Sequence, residues 1–470
     1  MNRMRIIANK NRGHLFQFLV FAALISCIAA CHVPKNKPVI MLMKERQLSF
    51  SEKMHALDNN DNFSPDGNYL CYDTRGTVFD ETIGNSQTIE KINILTGDET
   101  VLYHPHSIIG KQAAPGVGAV SWHPSENKVI FIHGPSIDEV ADRGYYDIRN
   151  RTGVEVSADG NENLTLVDMR DISTTGATTA GAHRGGTHRH EYSRNGKRIG
   201  FTYDDFLLPQ FGRTIGYMEA NEQAPEGYSH YFAVLVSPAK AGKSSPGEIE
   251  QAYGDSWVNA EGTKRAFIGK VRAADGVSYD TALFVAEIPE TTNITSSYSG
   301  DKKTYPVPPK GIKIKRLTHQ GWVGGIVRGS YDGFRIAYLS HDSAQINQVF
   351  VIPANGSDES ADPEKQPRQL TRLRTGSSFF RWHPSNQWIF HISNGNIVAT
   401  YAVEGSAFGQ SFYLTYDKLK REELVVSPDG NCLAYSIVLS EDKLKETKSE
   451  RGYRQIFIMN LDWEKINSGI

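Results

Sequence analysis

Cysteine is scarce in this chain, and so is net charge. Four cysteines, Cys27, Cys31, Cys71 and Cys432, stand among 470 residues, which excludes a disulfide framework as the source of stability. Lys and Arg number 51 against 53 Asp and Glu, a formal charge of −2 with a pI near 6.7. Dedicated nucleic-acid binders carry a basic stripe and a high pI, so the balance argues against that class. Mean hydropathy is −0.42, which argues against a polytopic membrane protein. Catalytic signatures are missing as well. There is no Gly-x-Ser-x-Gly elbow, and Gly116-Val117-Gly118 lacks the third glycine of a dinucleotide fingerprint. What the chain has in quantity is 42 Gly, 21 Tyr and 21 Phe, a composition that favours short strands and turns.

The N-terminus reads as an address. Arg3, Arg5, Lys10 and Arg12 precede an apolar run from Leu15 to Ala30, the length of a signal-peptide core. The run ends in Ile28-Ala29-Ala30-Cys31, which resembles a bacterial lipobox. That resemblance implies cleavage before Cys31, lipidation of its thiol and, with His32 rather than Asp next, an outer-membrane anchor facing the periplasm. Residues 1–30 are then the signal, 31–44 a tether and 45–470 one domain.

A repeat organises that domain: an apolar segment, a tight turn such as Ser64-Pro65-Asp66-Gly67, then an alternating strand. Pro presets φ, Asp bonds its own backbone and Gly takes the positive-φ position. With the Gly place as a ruler, copies fall at 67, 126, 196, 262, 333, 386 and 430. The shortest gap, 44 residues, matches one bare four-stranded propeller blade of about 40–45 residues. In five copies the third and fifth residues after the turn are aliphatic and then Phe or Tyr, the period of a strand face packed on a neighbouring blade. A second signature ending in Leu-Thr marks blade ends at Lys315-Arg316-Leu317-Thr318, Arg368-Gln369-Leu370-Thr371 and Phe412-Tyr413-Leu414-Thr415, and appears as Arg46-Gln47-Leu48-Ser49 ahead of the first blade. The expected fold is therefore all-β, a seven-bladed propeller whose N-terminal strand closes the last blade and removes its exposed edge. Cys71 and Cys432 are expected to be buried free thiols. Because blade seven uses the chain, no hydrolase domain of the prolyl-oligopeptidase kind is expected after it.

The strand before each turn lies innermost. In the third copy it reads Thr187-His188-Arg189-His190-Glu191-Tyr192, after Gly181-Ala182-His183-Arg184-Gly185-Gly186. At i, i+2 on a strand, His188 and His190 share a face, which makes them a metal clamp or a cationic pocket if that face is the channel, and an inter-blade hydrogen-bonding pair otherwise. His183, Arg184 and Arg189 are the neighbouring candidate ligand-binding residues. His123 and His383 sit in turns and read as turn caps, and His391 as core.

The repeats resemble those of TolB-like periplasmic propellers. The stretch from Gly181 to His190, with Gly200–Asp205, Ser121–Pro135, Ala266–Gly269 and Ser427–Tyr435, is similar to an uncharacterised bacterial propeller family of YidR-like proteins. A more distant similarity runs to oligogalacturonate lyases, whose Thr-His-x-His segment supplies two of four ligands to a divalent metal, usually manganese. Thr187-His188-x-His190 matches that pair, while Gly185 stands where the Gln ligand would be, and Gly325–Arg328 fills the strand expected to carry the third His. Two readings follow. In one, the chain is a TolB-like lipoprotein that binds an acidic oligosaccharide or a periplasmic protein in its channel. In the other, it is a metal-dependent lyase acting by β-elimination, with His188 and His190 holding manganese and Arg184 or Arg189 doing the catalytic proton transfer. The missing ligands favour the first.

Overall fold

Alternating strands joined by tight turns build seven separate sheets among the described residues of the computed structural model. These are residues 38–470 apart from 58, 60, 77–82, 162 and 441–451. The signal and Cys31 lie outside them, so the leader and lipidation readings fall outside the described residues. The sheets lie in the compact unit Ile40–Ile470.

Blades two to five are each four consecutive strands in simple order, beginning with inner strands Gly118–Trp122, Gly185–Tyr192, Ile249–Trp257 and Gly324–Gly329. Inner strands Ser378–Trp382 and Arg421–Val426 open blades six and seven. In blade one the bridges Ala56↔Asp73 and Phe63↔Leu70 put Ala56 and Phe63 in the inner place beside Tyr69–Asp73. The ring closes as the sequence implies. Glu45–Gln47 pairs with Gly452–Asn460 as the outer strand of blade seven, Arg46 opposite Ile458. Upstream of it, Met41 N–H and Met43 N–H donate to Tyr413 O at 2.8 Å and Leu414 O at 2.9 Å, so the end of the segment read as a tether lies against blade six.

Both sequence signatures have a structural cause. The aliphatic–aromatic pairs Leu70/Tyr72, Val129/Phe131, Ile199/Phe201, Ile336/Tyr338 and Leu433/Tyr435 are all buried between blades. In the blade-end signature the Leu is core, with Leu48, Leu317, Leu370 and Leu414 at 0–1% exposure. The hydroxyl after it accepts a third-strand amide: Leu283 N to Thr318, Val349 N to Thr371 and Ile397 N to Thr415, each at 2.9 Å, and Ile456 N to Ser49 at 2.8 Å. One residue fills the core and the next satisfies a backbone donor that the short outer strand leaves open. Cys71 is a buried free thiol, whereas Cys432 is only partly buried.

One feature of the inner strands was not legible in the repeat. The register against the second strand slips in six blades, at Gly118/Ser121, His188/Glu191, Tyr253/Ser256, Gly324/Arg328, Ser378/Arg381 and Glu422/Val425. Within each slip one residue has positive φ: Ala119 (55°), Arg189 (55°), Gly254 (62°), Gly325 (76°), Phe379 (47°) and Glu423 (54°). Each is a β-bulge, which re-aims the side chains around it. Four of the six are not glycine, a conformation that costs about 1–3 kcal/mol per residue. Local bonds hold it in blade two, where Ala119 N–H donates to Asp73 Oδ2 at 2.7 Å and Asn59 Nδ2 donates to Ala119 O at 2.9 Å.

Candidate functional site

The bulge at Arg189 breaks the two-residue alternation, so His188 and His190 do not share a face. His190 is fully buried between blades two and three. Its Nε2 lies 3.1 Å from Thr187 Oγ1, and its ring rests on Gly153, where a Cβ would stand 2.9 Å from Nε2. Thr187 Oγ1 in turn donates to the buried Asp168 at 2.7 Å, whose other oxygen accepts from Gly153 N–H at 2.6 Å. Burial drives the His190 pKa down to about 4, against the pull of Asp168. His183 belongs to the same knot, fully buried with Nε2 3.3 Å from Asp168 Oδ2. Burial disfavours the Asp168 charge, but His183, His190 and Thr187 outweigh it and hold the carboxyl below its ordinary range.

His188 is half-buried, near Thr202 Oγ1 at 3.4 Å. Burial and the charges of Arg151, Arg213, Arg189 and Arg75 hold it well below the ordinary imidazole pKa. The expected metal clamp is therefore corrected. One imidazole faces a positive surround and the other a sealed inter-blade knot, and among the described residues no three His, Cys, Asp or Glu side chains converge as a metal site. These residues do not fit a manganese centre of the lyase kind. The inter-blade hydrogen-bonding role describes His190.

Arg184 is corrected as well. It is fully buried. Its Nη2 and Nε meet Asp205 Oδ2 at 2.6 and 3.2 Å, and its Nη1 donates to Thr304 O at 3.0 Å and to Asp301 O. It ties blade three to a blade-four loop and is closed to ligand and to catalysis. With His183 sealed too, Arg189 alone of the three candidate ligand-binding residues, half-buried on its bulge, stands where a ligand could reach it. The turn readings of His123 and His383 hold, since His123 Nδ1 accepts Glu126 N–H at 2.9 Å and His383 Nδ1 accepts Ser385 N–H at 3.1 Å. So does the core reading of His391, which is fully buried.

The positive charge at the centre of the ring comes instead from several blades. Two residues ahead of the first turn residue, or three in blade four, each blade carries one side chain at an equivalent place: Asn62, Ser121, Glu191, Ser256, Arg328, Arg381 and Val425. Arg328 is 5% exposed, and its Nε and Nη2 have no hydrogen-bond partner. Its remaining contact is a long 3.4 Å bond from Nη1 to Val327 O. Burial, then Arg381 and Arg189, disfavour its cationic form, opposed by Glu191 and Asp61. Arg381 donates from Nη1 to Phe380 O at 3.0 Å, has an unpartnered Nε, and is brought down to about 10 by burial and by Arg189. The groups that influence one another come from blades one, three, five and six.

Acidic groups face them. Glu191 is committed, accepting from Ser256 Oγ at 2.9 Å and from the buried Arg265 at 3.0 Å. Asp61 is exposed, and its backbone oxygen accepts Trp122 N–H at 2.6 Å. Arg194 borders the site, donating to Tyr331 O at 2.7 Å with its guanidinium stacked 4.5 Å from the Tyr331 ring. Sequence reasoning missed Asp61, Arg328 and Arg381. Aligning the seven copies on their turns and reading one column would have exposed the two arginines.

Seven sheets and ring closure by an N-terminal strand define the class, a seven-bladed β-propeller. The chain belongs to the family of the "Uncharacterized protein YidR" of Escherichia coli (strain K12), with which it is 32% identical over 422 residues, 83% of this chain and 94% of that one. Residues 116–223 match the model described as "Protein of unknown function (DUF3748)". Among solved structures, U3-55K is similar at a TM-score of 0.45 and 12% identity, covering 89% of this chain and 98% of that one. An oligogalacturonate lyase in complex with manganese follows at 0.40 and 11%, covering 91% and 100%. A TolB structure from Agrobacterium tumefaciens follows at 0.38 and 12%, covering 80% and 98%.

Proposed function

We propose that this propeller is a binding protein that takes an anionic ligand, an acidic oligosaccharide in the first instance, in its central channel. The observation that carries the reading is Arg328, a guanidinium 5% exposed with two nitrogens unpartnered, in the field of Arg189, Arg381 and Asp61. Buried charges are normally paired, and a carboxylate matches the fork of a guanidinium with two parallel hydrogen bonds. An incoming carboxylate would supply what the fold leaves out.

The reading makes an unusual pair of expectations for Arg328→Met. Trigalacturonate binding, followed by calorimetry, should weaken at least about ten-fold. Stability without ligand should rise by about 1–3 kcal/mol, because an uncompensated buried charge is replaced by an apolar chain of similar length. A variant that binds as the wild type does, or that loses stability, would mean the guanidinium is already satisfied. Arg381→Gln, at a half-buried place, checks the binding arm independently.

The same proposal places the protein as an outer-membrane lipoprotein facing the periplasm, on the strength of the Ile28-Ala29-Ala30-Cys31 segment. Cells fed an alkyne fatty acid should label the wild type, and Cys31→Ala should be unlabelled and leave the membrane fraction. Labelling that survives the substitution would remove Cys31 as the anchor.

A further inference from the structure

We infer that the outer rim of blade six, where the N-terminal segment meets it, is a membrane-docking surface that settles on anionic lipid headgroups. The tether that brings it there rests on the Cys31 reading above, while the surface rests on its own geometry. Residues 40–43 lie along the outer edge of the blade-six sheet, beyond the strand Ser411–Tyr413, held by the bonds of the Met41 and Met43 amides to Tyr413 O and Leu414 O. Met41 and Met43 pack on the apolar core of blades six and seven. Ile40 and Leu42 alternate with them and stand in solvent, 45% and 56% exposed. A sheet edge in water is normally blunted with charge or proline, so two outward aliphatic side chains on an edge point to a cover.

Neighbouring segments extend the patch. The exposed Tyr416 ring meets that of Tyr413 edge-on, with centroids 5.5 Å apart. Lys465 Nζ donates to Leu42 O at 2.8 Å, and Gln410 Nε2 donates to Gly469 O at 2.9 Å, which sets the exposed Ile470 at the same edge. Lys44, Lys418, Lys420 and Lys465 are exposed around these groups. Of the acidic residues there, Glu45 and Asp417 are tied to Arg421 at 2.6 and 2.8 Å, while Asp462 and Glu464 are exposed, so a small positive surplus remains. The stretch from His32 to Val39 adds Lys35 and Lys37 and no acid. Aliphatic side chains, a tyrosine and long lysine stems suit the boundary between headgroups and acyl chains, where the ammonium groups reach lipid phosphates. Chain length selects this partner. Eight residues separate Cys31 from Ile40, a reach of at most about 30 Å. A compact unit the size of Ile40–Ile470 has a radius of gyration of about 22 Å. A lipid on Cys31 therefore holds this rim, and not the far side of the ring, against the bilayer.

Vesicles of phosphatidylethanolamine with phosphatidylglycerol are the probe, and phosphatidylcholine vesicles are the neutral reference. Binding is followed by flotation of a chain that starts at residue 31 and carries Cys31→Ala, so that no lipid is attached. This chain should float with the anionic vesicles and less with the neutral ones. Leu42→Glu combined with Tyr416→Glu should weaken partitioning at least about ten-fold and keep the urea midpoint, because both side chains are exposed. Lys418→Ser combined with Lys420→Ser serves if the first variant does not fold, and should weaken binding to the anionic vesicles alone. Leu95→Glu and Val277→Glu, at more exposed but isolated apolar places on blades one and four, should float as the parent chain does. A parent chain that does not float, or a Leu42→Glu/Tyr416→Glu chain that floats equally well, overturns the docking surface whatever Cys31 carries. A parent chain that stays off the vesicles and sediments as a dimer, which the same double variant separates, assigns the rim to a second copy and overturns lipid as its partner. Rim-dependent flotation together with fatty-acid labelling that survives Cys31→Ala removes the anchor and leaves the docking surface standing.

Discussion

Arg184→Met is expected to lower the unfolding free energy by about 3–5 kcal/mol, the cost of leaving a buried charge without its partner. Asp205 is 1% exposed. With Arg184 gone, the Tyr203 hydroxyl at 2.8 Å on Oδ2 and Leu208 N–H at 2.8 Å on Oδ1 would be its remaining bonds. The carbonyl oxygens of Asp301 and Thr304 would lose a charged donor at the same time. Urea unfolding of the two proteins measures the difference. Adding Asp205→Asn to the Met variant should recover part of the loss, because it removes the orphaned charge. A loss under about 1 kcal/mol would show that solvent reaches Asp205 once the arginine is removed, and would reopen Arg184 to a ligand role.

A comparable effect is expected from opening the ring. In a chain starting at Phe50, Arg421 loses the Glu45 carboxylate, which it meets at 2.6 and 2.7 Å, and keeps Asp417 at 2.8 Å. Leu48 leaves the core, where it is 1% exposed, and Ser49 Oγ no longer accepts Ile456 N–H. Burial of one leucine is worth about 2 kcal/mol, and half-stripping a buried guanidinium costs more. A loss of at least about 4 kcal/mol is expected. The strand Gly452–Asn460 would also become an open edge, which favours association between copies. Urea unfolding and sedimentation test both effects. A monomer that unfolds at the wild-type midpoint would contradict closure as a source of stability.

The fold was legible because its chemistry repeats. Turn residues, the aliphatic–aromatic pair and the Leu–Thr signature each answer one local requirement, a positive φ, a buried face or an unpaired amide, and each appears in several blades. Ring closure was legible for the same reason, since Arg46-Gln47-Leu48-Ser49 carries the outer-strand signature out of place. The site was less so. Alternation along Thr187–Tyr192 predicts that His188 and His190 share a face, and a single positive φ at Arg189 undoes this. Arginine is an uncommon residue in that conformation, so nothing in the local sequence announces the bulge. The Gly-rich run around His183 and Arg184 has a packing cause instead. Cβ atoms at Gly185 and Gly186 would come within 1.9 Å of Asp204 O and 2.2 Å of Ile148 O. The near-zero net charge still implies that any anion is drawn by a local cluster, but that cluster is assembled from blades three, five and six, not from one strand.

The most direct test is crystallographic. Crystals of the mature protein soaked with selenate, a heavier equivalent of sulfate, should show an anomalous peak in the channel within hydrogen-bonding distance of Arg328 and Arg381. A channel without selenate, with Arg328 paired to Asp61 or another protein group, would contradict the account.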